Sequence, residues 1–152
     1  MFIVDKDLLL KQMDVIRTSV DEKGNTLLPA QMNALVLAYV GDTVYDLYVR
    51  TKLILSSDAT ANMLHRKAID FVCASAQAEA ADRAMEYFTE DEMAIYKRGR
   101  NSKHATVPKN ADLGRYHKAT GLESVLGYLY LDGKVDRLTD ILKICIDKCE
   151  GI

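Results

Sequence analysis

Two long runs of this sequence carry a single charged side chain each, and in both the lone charge is a carboxylate close to a glycine. Between residues 27 and 45 it is Asp42, directly after Gly41; between residues 119 and 131 it is Glu123, one helical turn before Gly127. A lone carboxylate in apolar surroundings is costly, so it must turn to water, take up a proton or bind a cation. Two such acids invite one shared cation. Gly41 and Gly127 lack side chains that would hold two helices apart, so the runs are suited to pack backbone against backbone with the acids near the crossing.

Helical patterns dominate the rest of the chain. Leu8, Leu9, Met13, Ile16 and Val20 recur at three- and four-residue spacing and predict a helix over residues 5–20, broken by Lys23, Gly24 and Asn25. Pro29 suits the first turn of a second helix running to about Thr51. A third is expected from the Ser57 to Thr60 region, followed by a break near Ser75 and an alanine-rich helix ending near Phe88. Thr89 and Glu92 form a capping box opening a short helix from Glu90 to about Arg98, with Gly99 at its stop position. Pro108 excludes helix locally, and helix resumes near Asp112 to run to Leu131. Asp132 and Gly133 then turn the chain into a last helix over residues 135–148. No alternating β-branched run is bounded by hairpin turns, so the expected fold is all-α with six to seven helices.

With 152 residues, 49% hydrophobic and 28% charged, the chain has the make-up of one well-cored domain. Its longest uncharged run, residues 27–41, falls short of the roughly 20 apolar residues of a membrane span. The N-terminus lacks a basic region ahead of an apolar stretch, so a cytoplasmic protein is expected. Three cysteines, Cys73, Cys145 and Cys149, make an odd count and no zinc-ligand spacing, which favours reduced structural thiols.

The charge is unevenly placed. Residues 97–118 hold seven lysines and arginines against one acid, Asp112, giving this stretch +6 while the remainder carries −8. A positive segment on an acidic chain suits a polyanion, although a solvated loop with incidental charge has the same composition. His65, His104 and His117 are few and scattered, and no serine or cysteine nucleophile with a histidine base is recognisable. Carboxylates that hold Mg²⁺ beside lysines and arginines are what phosphodiester hydrolysis needs, since the cation neutralises charge growing on the phosphate. Taken singly, Asp42 and Glu123 could each be an exposed acid on the wet side of a helix; their matched settings favour the paired reading.

Tyr39-Val40-Gly41-Asp42-Thr43-Val44-Tyr45 resembles the signature helix of the ribonuclease III catalytic domain. Leu122-Glu123-Ser124-Val125-Leu126-Gly127 resembles that family's second acidic motif. The order continues through the basic stretch from Lys97 to Lys103 and through Pro108-Lys109-Asn110, and in so short a chain the whole looks like the Mini-ribonuclease III branch. The resemblance implies an all-helical homodimer that cleaves double-stranded RNA with Mg²⁺. Asp42 and Glu123 would be its catalytic and metal-binding acids. Where the wider family often has acids, this chain has Ala38 and Thr120, as the mini branch does, which leaves fewer charged ligands and makes Thr120 a candidate to hold a water.

The sequence stops at Ile152, directly after the last expected helix, so one catalytic domain over residues 1–152 with no separate double-stranded-RNA-binding domain is expected. Lys97, Arg98, Arg100, Lys103 and Lys109 are then the candidate RNA contacts, reading A-form RNA through phosphates and 2′-hydroxyls. The resemblance further implies the precursor of 23S (large-subunit) ribosomal RNA as substrate and a large-subunit ribosomal protein as a possible partner. Two other readings remain: a catalytically silent helical RNA-binding or ribosome-associated dimer, and a helical bundle with merely buried acids.

Overall fold

The computed structural model describes residues 16, 28–103, 107 and 109–146. The helix expected over residues 5–20 lies outside them except for Ile16, as do His104, Pro108 and Cys149.

Pro29 opens only a three-residue 3₁₀ turn, Pro29–Gln31, rather than the long helix itself. Met32 is extended, with ψ of 153°, and Asn33 is the true cap of α1 (Ala34–Ser56), its side chain accepting from the Leu35 amide at 2.8 Å. That bond satisfies one of the amides a helix start leaves open. At the other end α1 runs five residues past Thr51, whose hydroxyl folds back onto the Leu47 carbonyl at 2.7 Å and leaves the backbone helical.

Thr60 caps α2 (Ala61–Val72), and the break that follows falls at Cys73, in an extended conformation, rather than at Ser75. Next comes α3 (Ala74–Met85), which ends three residues before the expected Phe88 and buries Ala78, Ala80, Ala81 and Ala84. The capping box at Thr89 and Glu92 forms as the pattern predicts and opens α4 (Glu90–Arg100). Burial works to raise the pKa of Glu92, but the Arg137 guanidinium, 2.8 Å away, and the Thr89 amide outweigh it and hold the carboxyl below its usual range.

Asp112 caps α5 (Leu113–Leu131), and Gly133, at φ 72°, makes the turn into α6 (Val135–Ile146). Among the described residues there are six α-helices and no strand. The fold is all-α, as expected.

Helix α5 is the axle of the domain, packed by α1, α3, α4 and α6. It buries Leu122, Val125, Leu126 and Leu129 against Leu37, Tyr45, Tyr96 and Ile141. Two glycine-mediated approaches fix its neighbours. A Cβ added at Gly41 would overlap the Glu123 carbonyl oxygen and come within 2.9 Å of the Gly127 amide; one at Gly127 would overlap the Leu37 carbonyl oxygen. The second approach corrects the expectation for Gly99. It lies inside α4 rather than after it, and a Cβ there would meet the Ser124 Cβ at 2.9 Å and the Gly121 Cα at 3.0 Å. The residue is small because α5 runs against it, not because the helix stops. Between the two crossings the buried Ser124 hydroxyl reaches the carbonyls of Ala34 and Thr120 at 2.9 and 2.8 Å, so α1 and α5 are also tied by a polar contact.

Cys145 is buried in this core, where burial pushes its thiol up to about 12. It and Cys73 are both free thiols; Cys145 has the buried, structural setting expected of it, whereas Cys73 is exposed at the break between α2 and α3.

Candidate metal centre and nuclease cleft

The close crossing of α1 and α5 has a direct consequence for the two isolated acids. Asp42 follows the contact glycine on α1, and the carbonyl that Gly41 accommodates belongs to Glu123 itself. Both carboxyls enter one cleft of about 550 Å³, lined also by Tyr39 of α1, Gln77 of α3, and Tyr116 and Thr120 of α5. Their side chains are hydrogen-bonded to one another.

Burial, first, and the neighbouring Asp42 charge, second, raise the Glu123 pKa from 4.5 to about 8, while a hydrogen bond from Gln77 pulls the other way. Two carboxyls in contact cannot both ionise cheaply, so one keeps a proton when no cation is near. A divalent cation placed between them would replace that proton and remove the repulsion. The donor set fits such an ion: two carboxyls meet in a cleft large enough for its waters, and a buried amide oxygen, Gln77 Oε1, has no partner among the described residues. No group of three or more His, Cys, Asp or Glu side chains is gathered there among the described residues. An ion held by so few charged ligands would keep most of its water, as small hard divalent cations do.

This arrangement makes stability depend on pH in an unusual direction. Between about pH 4.5 and 8 the folded protein holds a proton on Glu123 that the unfolded chain has released, so folding weakens as pH rises through that window. In EDTA the thermal midpoint should fall between about pH 5 and 8, and Mg²⁺ added at about pH 8 should restore it. A midpoint that ignores Mg²⁺ at the upper pH would contradict the pairing.

The basic candidates fall on the C-terminal end of α4 and the connection after it. Lys97, Lys103 and Lys109 are exposed. Arg100 lies over the Tyr96 ring, 5.7 Å from its centroid, with its Nε donating to Asn101. Arg98 is committed to the fold: its guanidinium donates to the carbonyls of Ala30 at 2.8 Å and Met32 at 2.7 Å, pinning the bend ahead of α1. Sequence reasoning did not find that role, because the carbonyls it serves are more than sixty residues away. It also missed Gln77. The only signal was its register, four residues before Ala81 and seven before Ala84 on the buried side of α3.

A helical domain with two acids brought together at a glycine crossing has the layout of a nuclease domain, and comparison with known proteins agrees. The family profile for the Ribonuclease III domain matches residues 35–134, which include both acids and the basic segment. Mini-ribonuclease 3 of Clostridium tetani is 46% identical over 121 residues, covering 79% of this chain and 80% of that protein. Mini-ribonuclease 3 of Enterococcus faecalis is 47% identical over 120 residues, covering 78% and 91%. A crystal structure of a protein from Fusobacterium nucleatum matches with a TM-score of 0.69 at 28% identity, over 76% of this chain and 93% of that one. The chain belongs to the ribonuclease III family, in its Mini-ribonuclease III branch. Its activity class follows as endoribonuclease, a phosphodiester hydrolase.

Proposed function

We propose that this chain is a Mg²⁺-dependent endoribonuclease acting on double-stranded RNA, with Asp42 and Glu123 as its catalytic and metal-holding acids and the 23S ribosomal RNA precursor stem as its substrate. The observation that carries this reading is the contact between the Asp42 and Glu123 carboxyls inside one cleft. Mg²⁺ bound there supplies Lewis acidity and neutralises the charge that develops on the phosphate.

The residues do the rest. Asp42, the more exposed acid, faces the open side of the cleft, and Glu123 anchors the site at the helix crossing. Lys97, Arg100, Lys103 and Lys109 hold the RNA backbone, and Arg98 keeps their helix end in place against Ala30 and Met32. Hydrolysis with the 3′-oxygen leaving gives a 5′-phosphate and a 3′-hydroxyl.

Residues 1–152 act as one catalytic domain, and two copies form a homodimer that cuts opposite strands. Val36, Leu47 and Ile54, spaced eleven and seven residues apart on one side of α1, are 56%, 61% and 60% exposed, an apolar stripe that pairing would cover. The reaction belongs in the cytoplasm, where a large-subunit ribosomal protein can shape the precursor; among the described residues no helix is long and apolar enough to cross a membrane.

Incubating the protein with a duplex RNA and its single-stranded counterpart, in Mg²⁺ or in EDTA, tests the reading. Cutting of the duplex alone, only with Mg²⁺, is the expected result, and mapped ends on a 23S precursor stem should fall on both strands with a stagger. No cleavage under any condition would leave a silent RNA-binding module instead. Lys97→Ala and Arg100→Ala should each weaken duplex binding and lower the slope of log affinity against log salt by about 1. An unchanged slope would place the RNA surface elsewhere.

A further inference from the structure

Four polar side chains are buried among the described residues, and three are accounted for. Glu92 pairs with Arg137, Ser124 ties α5 to α1, and the Thr120 hydroxyl reaches the Tyr116 carbonyl at 3.1 Å. Gln77 is the fourth. It is 2% exposed on an alanine-rich helix, where an apolar residue matching Ala81 and Ala84 would meet no desolvation penalty.

The amide is used asymmetrically. Its Nε2 donates to the Val72 carbonyl at 3.2 Å, at the break between α2 and α3, and the side chain also donates to the Glu123 carboxyl. With both donors assigned in this way, Oε1 is left buried and, among the described residues, without a partner, on a side chain that lines the cleft. Buried acceptors of this kind call for an explanation, and a water or ion absent from the protein's own atoms is a common one.

We propose that Gln77 is the positioning residue of the nuclease site: its amide holds the Glu123 carboxylate toward Asp42, and its Oε1 accepts a hydrogen from a water in the cation's hydration shell. The inference rests on the assignment of Asp42 and Glu123 as cation ligands. Gln77 itself touches neither substrate nor ion. It links the α2–α3 junction to the catalytic glutamate, as outer partners of metal ligands do.

Gln77→Met keeps the length and bulk of the side chain while removing both N–H donors and the acceptor. Mg²⁺ binding by the RNA-free protein, measured calorimetrically, should weaken about tenfold, and the Mg²⁺ concentration for half-maximal cleavage should rise by the same factor. At saturating Mg²⁺ the rate should return to within a few-fold of wild type, a split that a purely packing role does not produce. A folded Gln77→Met protein with wild-type Mg²⁺ affinity would overturn the proposal. If this variant fails to fold, the wild-type protein decides: the Gln77 side-chain amide resonances should shift on adding MgCl₂ and stay still in Asp42→Asn. Resonances unmoved by Mg²⁺ in wild type would also overturn it. The underlying assignment fails separately, if Asp42→Asn and Glu123→Gln both bind Mg²⁺ as wild type does.

Discussion

Asp42→Asn is expected to reduce cleavage of duplex RNA by about a thousandfold or more while leaving the helical fold in place. The substitution preserves size and removes one of the two carboxyls that, among the described residues, meet in the cleft. Asp42 is exposed, so its packing contribution is small. Its stability effect should even be favourable in EDTA at about pH 8, because the Asp42 charge is one of the forces working against ionisation of Glu123. Glu123→Gln should match it in both respects. The combination of lost activity and retained or raised thermal midpoint separates an electrostatic site from a structural one. Single-turnover cleavage beside a melting curve provides both readings. Wild-type cutting by Asp42→Asn would remove that residue from the chemistry, and a collapsed fold would mean that the acid supports packing instead.

Parts of this architecture were legible in the sequence for physical reasons. The Thr89–Glu92 capping box is local, its donors and acceptors lying within four residues, and it formed as read. The pairing of Asp42 with Glu123 was legible because each run is otherwise uncharged and supplies its own contact glycine, so chemistry and packing pointed the same way. What the sequence hid depends on partners far along the chain. Gly99 carries the mark of a helix stop, yet its small size is demanded by Ser124 and Gly121 on α5. Arg98 reads as one more charge in a basic segment until the carbonyls of Ala30 and Met32 come beside it. Asn33 was overshadowed by Pro29, which is compatible with a helix start but here ends up in a separate 3₁₀ turn. Gln77 reads as one more solvent-facing glutamine until the α2–α3 break turns it inward against Val72 and Glu123.

Gly127→Ala should cost about 3 kcal/mol of stability, or roughly 10 °C in thermal midpoint for a domain of this size. In an ordinary helix interior, alanine is favoured over glycine by about 1 kcal/mol, so intrinsic preference predicts the opposite sign. Packing decides. A Cβ at position 127 would overlap the Leu37 carbonyl oxygen and sit 2.7 Å from its carbonyl carbon, and backbone atoms cannot swing aside as a side chain end can. Helix α1 must therefore move away from α5, which loosens contacts around the buried Leu37 and disturbs the Ser124 bond to Ala34. The same displacement separates Asp42 from Glu123, so cleavage should fall along with stability, and added Mg²⁺ should recover only part of either. Gly114→Ala is the matched control, since among the described residues a Cβ there would meet only the Asp112 side chain at 3.4 Å. It should melt at or above the wild-type midpoint and cut normally. If the two alanine variants behaved alike, close approach of the α1 and α5 backbones would not be what brings the acids together.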